Sequence, residues 1–177
     1  MKCFFCKRVI KYFNFLLIFA IGILYCSCAG GYSFTGASIS ADTKTFRVEN
    51  FINRASIVQP ILSSEMTYAL INKIRSGSNL KEVEDEADCV FSGTITSYSV
   101  TPTAISSSDQ AAKNRLTITV QVKYSNRLDK KNDFEQVFTR YKEYDASLSL
   151  SSVEESLIKE INGELVDDIF TKAFVNW

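Results

Sequence analysis

The sequence predicts an α+β fold: a two-layer sandwich with two helices on one face of a mostly antiparallel four-stranded sheet, in the order β-α-β-β-β-α. Three observations carry that expectation. The run "RLTITVQVKY" alternates strictly, with Leu116, Ile118, Val120, Val122 and Tyr124 on one side and Thr117, Thr119, Gln121 and Lys123 on the other. That is the pattern of a strand with one covered and one polar face. Near the C-terminus Val153, Leu157, Ile161, Leu165 and Ile169 recur every four residues, and Ile158, Val166 and Phe170 widen the stripe, as in a helix that buries one side. Leu62, Met66, Leu70 and Ile74 repeat the same spacing earlier in the chain.

Along the chain, "TKTFRVENF" (Thr43 to Phe51) reads as the first, short strand. Pro60 opens the first helical pattern, and Gly77, just past Arg75, stands where a left-handed cap would end it. The stretch from Lys81 to Asp88 is densely charged and expected in solvent, with a short extended piece at Asn79 to Val83. "CVFSGTITSYSV" is β-branched and aromatic, and its Gly93 marks a twist or a close approach. "TPTAISSSDQAAKN" is too long and polar for a tight hairpin and reads as a mobile loop. "SNRLDKKND" turns the chain into the last strand, "FEQVFTRYKEY", where Phe138 and Tyr141 cannot share a face without a bulge or the strand's end. In the final helix Ser152 and Glu155 fit a capping box. Glu154 and Glu155 lie where the helix dipole favours negative charge. Gly163 interrupts the helix at a cost of roughly 1 kcal/mol relative to alanine. Burying five aliphatic side chains of the stripe contributes on the order of 10 kcal/mol before entropy.

The N-terminus has a different logic. Lys2, Lys7, Arg8 and Lys11 precede an apolar run from Phe13 to Leu24, shorter than the roughly 20 apolar residues that cross a bilayer. A basic start, a short apolar run and then small residues read as a signal peptide. A cysteine at its end reads as a bacterial lipidation site, acylated on sulfur and exposed as the first mature residue. Cys28 fits best, with Ser27 before it and Ala29, Gly30 and Gly31 after it. Cys26, behind bulky Leu24 and Tyr25, is the alternative, as is a retained membrane anchor extending to Cys28. The expected division is a cleaved signal at 1–27, a lipidated tether at 28–41 and a single domain at 42–177.

Composition narrows the function. The chain carries 20 basic and 20 acidic side chains. Loss of Lys2, Lys7, Arg8 and Lys11 with the signal leaves a net charge of −4, which is no basis for nucleic-acid binding. Acylation of Cys28 leaves Cys89 as the one thiol of the mature chain, in an apolar strand where it reads as a small core residue. There is no histidine, so the commonest general base and the usual triad partner are missing. No Cys or His spacing suggests zinc, and the glycines form no phosphate cradle. The carboxylates of "EVEDEAD" read as a solvated run rather than a glycosidase pair. No catalytic residue, metal or cofactor is expected, and the chain reads as a non-enzyme.

Several segments together resemble a known family. "CAGGYSFTGASI", "FINRA" before "VQP", "GTITSYSVTPTA", "NRLTITVQVKYSN", "FTRYKEYDAS", "LSSVEESLI" and "IFTKAFVNW" are similar, in order and spacing, to the lipopolysaccharide-assembly lipoprotein LptE of Bacteroidota. The likeness covers nearly the whole mature chain and implies that Trp177 is a natural C-terminus. It also implies a lipoprotein on the periplasmic side of the outer membrane that plugs the LptD β-barrel and helps pass lipopolysaccharide outward. Ala29 to Gly36 lacks acidic residues, so the periplasm-facing leaflet is expected. Contact with the phosphates of lipid A would need cations, Arg above all. Arg115, Lys123, Arg127, Arg140 and Lys142, on or beside the last two strands, are the candidates. A different class of function remains beside this one: a lipid-anchored periplasmic scaffold that binds protein and never meets lipopolysaccharide. A hydrolase, which would need converging carboxylates or an activated serine in a pocket, is third.

Overall fold

Two long strands rich in β-branched and aromatic residues form the spine of the molecule, β4 (Cys89–Thr103) and β5 (Lys113–Asn126). The computed structural model describes residues 39–175 apart from 41, 58 and 104–111. The expected signal, Cys28, most of the tether, the greater part of the predicted loop and Trp177 lie outside the described residues. Before the spine come β1 (Thr45–Val48), β2 (Ile52–Asn53), α1 (Leu62–Gly77) and β3 (Lys81–Glu82); after it come a 3₁₀ turn (Lys130–Asn132), β6 (Phe134–Asp145) and α2 (Leu150–Phe174).

The fold is α+β, as expected, but the structure corrects the sheet. Among the described residues it is mixed and has six strands, ordered β3-β1-β4-β5-β6 with β2 also paired to β4. β1 runs parallel to β3 and β4, and β2 parallel to β4, while β4, β5 and β6 are antiparallel neighbours. The parallel pairs arise because α1 carries the chain back over the sheet before it re-enters beside β1, the crossover that parallel strands require. β2 and β3 have two residues each, too few for any periodicity to betray them.

One irregularity explains why β4 does not alternate cleanly. Cys89, Phe91 and Ile95 are buried, then Tyr98, so inward residues change from odd to even numbers. The register with β5 shifts between Ile95 and Ser97: Thr96 is the extra residue of a bulge, and the apolar side stays inward across it. β6, where a bulge was one expectation, has an unbroken register with β5 from Phe134 to Asp145. Phe138 is buried and Tyr141 half exposed on the other face.

β1 and β2 run in succession along the same side of β4, with a break at residues 49–51. Phe51 is 3% exposed and lies across Gly93, whose added Cβ would sit 2.2 Å from the ring. The expected close approach at Gly93 is therefore real. The break would orphan the backbone N–H of Phe51, and Thr67 of α1 accepts it at 3.1 Å. Its hydroxyl in turn donates to the Ser63 carbonyl at 2.8 Å.

Both helices cover the same sheet face. α1 buries Leu62, Met66, Leu70 and Ile74, the predicted stripe. Gly77 is its last residue and not a left-handed cap; the cap residue Ser78 is extended, with its N–H bonded to the Ile74 carbonyl. The glycine is needed because the Phe170 ring of α2 presses on it: an added Cβ would sit 2.7 Å from Cζ. α2 starts two residues before Ser152, after an extended Ser149. The capping box of Ser152 and Glu155 does not form, because the Ser152 hydroxyl donates to the Ser149 carbonyl at 2.7 Å instead; the neighbouring Glu154 accepts from the Tyr98 hydroxyl. The α2 stripe is buried as expected from Leu157 to Ile169, and extends to Phe174. Asn162 shares that burial with no hydrogen-bond partner for its amide among the described residues. Phe91, Tyr124, Phe170 and Phe174 form an aromatic knot with ring centroids 4.8–5.9 Å apart, locking the last turn of α2 to the spine.

Candidate partner interface

Opposite the helices no described residue covers the sheet, and the chemistry of that face follows from the polar side of the alternation. On β4 that face carries Ser92, Thr94, Ser97 and Ser99; on β5, Thr117, Thr119, Gln121 and Lys123. Cross-strand bonds tie it to β6. The hydroxyls of Thr119 and Thr139 are 3.1 Å apart, and Gln121 Nε2 donates to Glu135 at 2.6 Å. Arg115 donates to Glu143 at 2.7 Å and stacks over Tyr141 at 4.0 Å. The result is a hydroxyl-rich surface able to exchange hydrogen bonds with a polar partner, with apolar Val137 and Tyr141 exposed at the β6 margin.

The five candidate cations are not gathered in one place. Arg115 and Lys123 lie on the uncovered face. Arg140 and Lys142 alternate with them on β6 and turn toward α2: Arg140 grips Asp168 through two bonds of 2.6 and 2.7 Å, and Lys142 meets Glu164 at 2.7 Å. Arg127 lies past the end of β5 and bonds Asp88 at 3.1 Å. The carboxylates beside Arg115, Arg140 and Lys142 favour their charged forms and raise their pKa values. A phosphate approaching any of the four paired cations meets a carboxylate already there. Lys123 makes no ion pair with another described residue.

Sequence reasoning missed Asp88. It accepts from the Lys44 and Thr45 N–H groups, from the Thr45 hydroxyl and from Arg127. These bonds hold its carboxyl down to about 2, fastening the start of β1 to the starts of β4 and of the turn after β5. Cys89 next to it is fully buried, and burial, with the Asp88 charge adding to it, pushes the thiol up to about 12. It is an inert core residue, as its setting suggested. A cleft of about 840 Å³ between α1 and β1 holds Glu49, Glu82 and Glu84. Glu49 faces Arg47 at 3.0 Å, and Glu82 faces Arg75. Among the described residues no three His, Cys, Asp or Glu side chains group to hold a metal, and no helix is long and apolar enough to cross a membrane.

A family model described as "LptE: Lipopolysaccharide-assembly" matches residues 43–173. The chain belongs to the LptE family. That match spans every strand and nearly all of both helices, so the family assignment rests on the folded domain as a whole. No curated protein matches the sequence. Among solved structures, the hypothetical protein CT253 from Chlamydia trachomatis superposes with a TM-score of 0.52 at 9% identity, covering 76% of this chain and 99% of that one. It is alike in fold. A minor lipoprotein from Acinetobacter baumannii (TM-score 0.42, 15% identity, 73% and 91% covered) and lipoprotein B from Nitrosomonas europaea (0.42, 16%, 72% and 80%) are more distant in shape. As a member of the LptE family the chain is assigned to lipopolysaccharide assembly in the cell envelope.

Proposed function

We propose that this LptE-family chain is a lipid-anchored subunit of the lipopolysaccharide exporter that assists and plugs an LptD-type outer-membrane barrel. The family match across residues 43–173 is the observation that carries the reading. Cleavage before Cys28 and acylation of its sulfur would place the domain on the periplasmic side of the outer membrane; two or three acyl chains hold firmly where one holds reversibly. The hydroxyl-rich sheet face supports the plug, since the lumen of a large barrel is polar and wet. No reaction is part of the role: the domain works by binding. Arg115, Lys123, Arg127, Arg140 and Lys142 remain its candidates for lipid A phosphates, with Lys123 the least encumbered.

Affinity purification of the tagged full-length chain from native membranes tests the reading. A large barrel is expected in one-to-one yield, together with a triacylated or diacylated Cys28 in the mass spectrum of the N-terminal peptide. Recovery of a different stoichiometric partner with no barrel would favour the scaffold reading and end this one. Depletion of the protein is expected to trap new lipopolysaccharide short of the cell surface.

A further inference from the structure

We propose that the free edge of β6 is a strand-addition site, filled by an extended, apolar and acidic segment of the barrel partner. The identity of the partner rests on the function proposed above; the site itself rests on the backbone. Ala146 N–H donates to the Ala112 carbonyl at 2.9 Å, in line with the β5–β6 register. Antiparallel residues bond to a given neighbour only at alternate positions. Even-numbered β6 residues therefore bond to β5. The N–H and C=O groups of Glu135, Val137, Thr139, Tyr141 and Glu143 point outward, and none has a backbone partner among the described residues.

A free edge this long is normally blunted by proline, a bulge, or charges projecting over it. β6 has no proline and no bulge, and its charges are drawn back. Arg140 and Lys142 are held by α2, Glu143 by Arg115 and Glu135 by Gln121. What remains at the margin is apolar: Val137 is 55% and Tyr141 50% exposed, on the same side of the strand. Beneath the other side runs a groove of about 550 Å³ lined by Phe134, Phe138, Lys131 and Lys172, together with Asp133 and Asp168, the latter neutralised by Arg140. Lys172 lies over the Phe134 ring, and neither lysine has an ion pair among the described residues. An incoming strand would set apolar side chains against Val137 and Tyr141. Its alternate side chains would reach the groove, where an acid meets those lysines.

A second copy is a poor occupant. Two-fold pairing of β6 with itself centred on Thr139 sets Glu135 opposite Glu143. Centring on Arg140 sets that arginine against its own copy and Glu135 against Asp145. Like charges directly opposite are destabilising, and these are the two registers of fullest overlap.

Hydrogen exchange of the full acylated chain in detergent, alone and in its purified complex with the barrel, tests the site. The five outward amides are expected to exchange freely in the chain alone and at least a hundredfold more slowly in the complex. Val137→Lys, which places a charge on the edge, and Val137→Pro, which removes only an outward N–H, are expected to keep the thermal midpoint within a few degrees and lower barrel recovery at least tenfold. Wild-type recovery of the barrel with the five amides still unprotected, or undiminished recovery by both variants, overturns the edge proposal and leaves the barrel reading standing. No barrel with wild type overturns both. Slow exchange in the chain alone means the edge is already covered, by a second copy if the mass is dimeric or by this chain's own residues if monomeric, and also overturns it.

Discussion

Phe51 needs a hydrogen-bond acceptor at its back and an empty space beneath its ring; Thr67 and Gly93 supply them. The chain breaks its pairing with β4 after Glu49, whose N–H still reaches the Phe91 carbonyl, so the amide of Phe51 has no strand partner, and the hydroxyl of Thr67 takes its place. A buried donor left without an acceptor costs about 1–3 kcal/mol. Thr67→Val keeps the shape and removes the acceptor; urea unfolding should show a loss in that range with an unchanged slope. Thr67→Ser keeps the hydroxyl and should lose less. If valine is as stable as threonine, water or a shifted loop satisfies the amide and the peg is not held as described.

At the scale of elements, the two glycines of the helices have opposite consequences. Gly163 of α2 has nothing within 4 Å of an added Cβ, so Gly163→Ala should stabilise the fold by up to about 1 kcal/mol through helix propensity alone. Gly77 of α1 lies under Phe170, and Gly77→Ala should cost about 1–3 kcal/mol by overpacking the seam. Calorimetric midpoints moving in opposite directions would confirm the seam; both rising would refute it. The same two residues show what the sequence could and could not convey. The stripes of α1 and α2 and the alternation of β5 were legible because many residues repeat one period. Gly77 read as a cap because its real reason, an aromatic ring ninety-odd positions away, leaves no local trace. β2 and β3 were too short to see, and their parallel pairing depends on where α1 returns the chain. The capping box failed because helical bonds extend two residues upstream of Ser152. That Phe138 and Tyr141 cannot share a face of a regular strand was legible, whereas the direction of the β6 amides is decided by register alone.

For the molecule as a whole, Asp88 joins the first strand, the spine and the turn after it, and this makes stability dependent on acid. Its folded pKa of about 2 lies below the usual 3.8, so its contribution is complete above 3.8 and is lost as pH falls toward 2. Lowered values at Glu143 and Asp145 act in the same direction. Asp88→Asn should lower stability at neutral pH and make the decline between about pH 4 and pH 2 shallower than in wild type, as read by urea midpoints across that range. Parallel curves for the two proteins would mean that the carboxylate is not a fastening point. The spine has a consequence for reach as well. Thr43, just before β1, is bonded to Asn126 at one pole of β5, and Lys113 stands at the other. Fourteen residues at strand rise separate those poles by about 40 Å, nearly the thickness of a bilayer with its headgroups. Under the anchoring and plugging proposed above, this spine would reach from one side of the membrane almost to the level of the other.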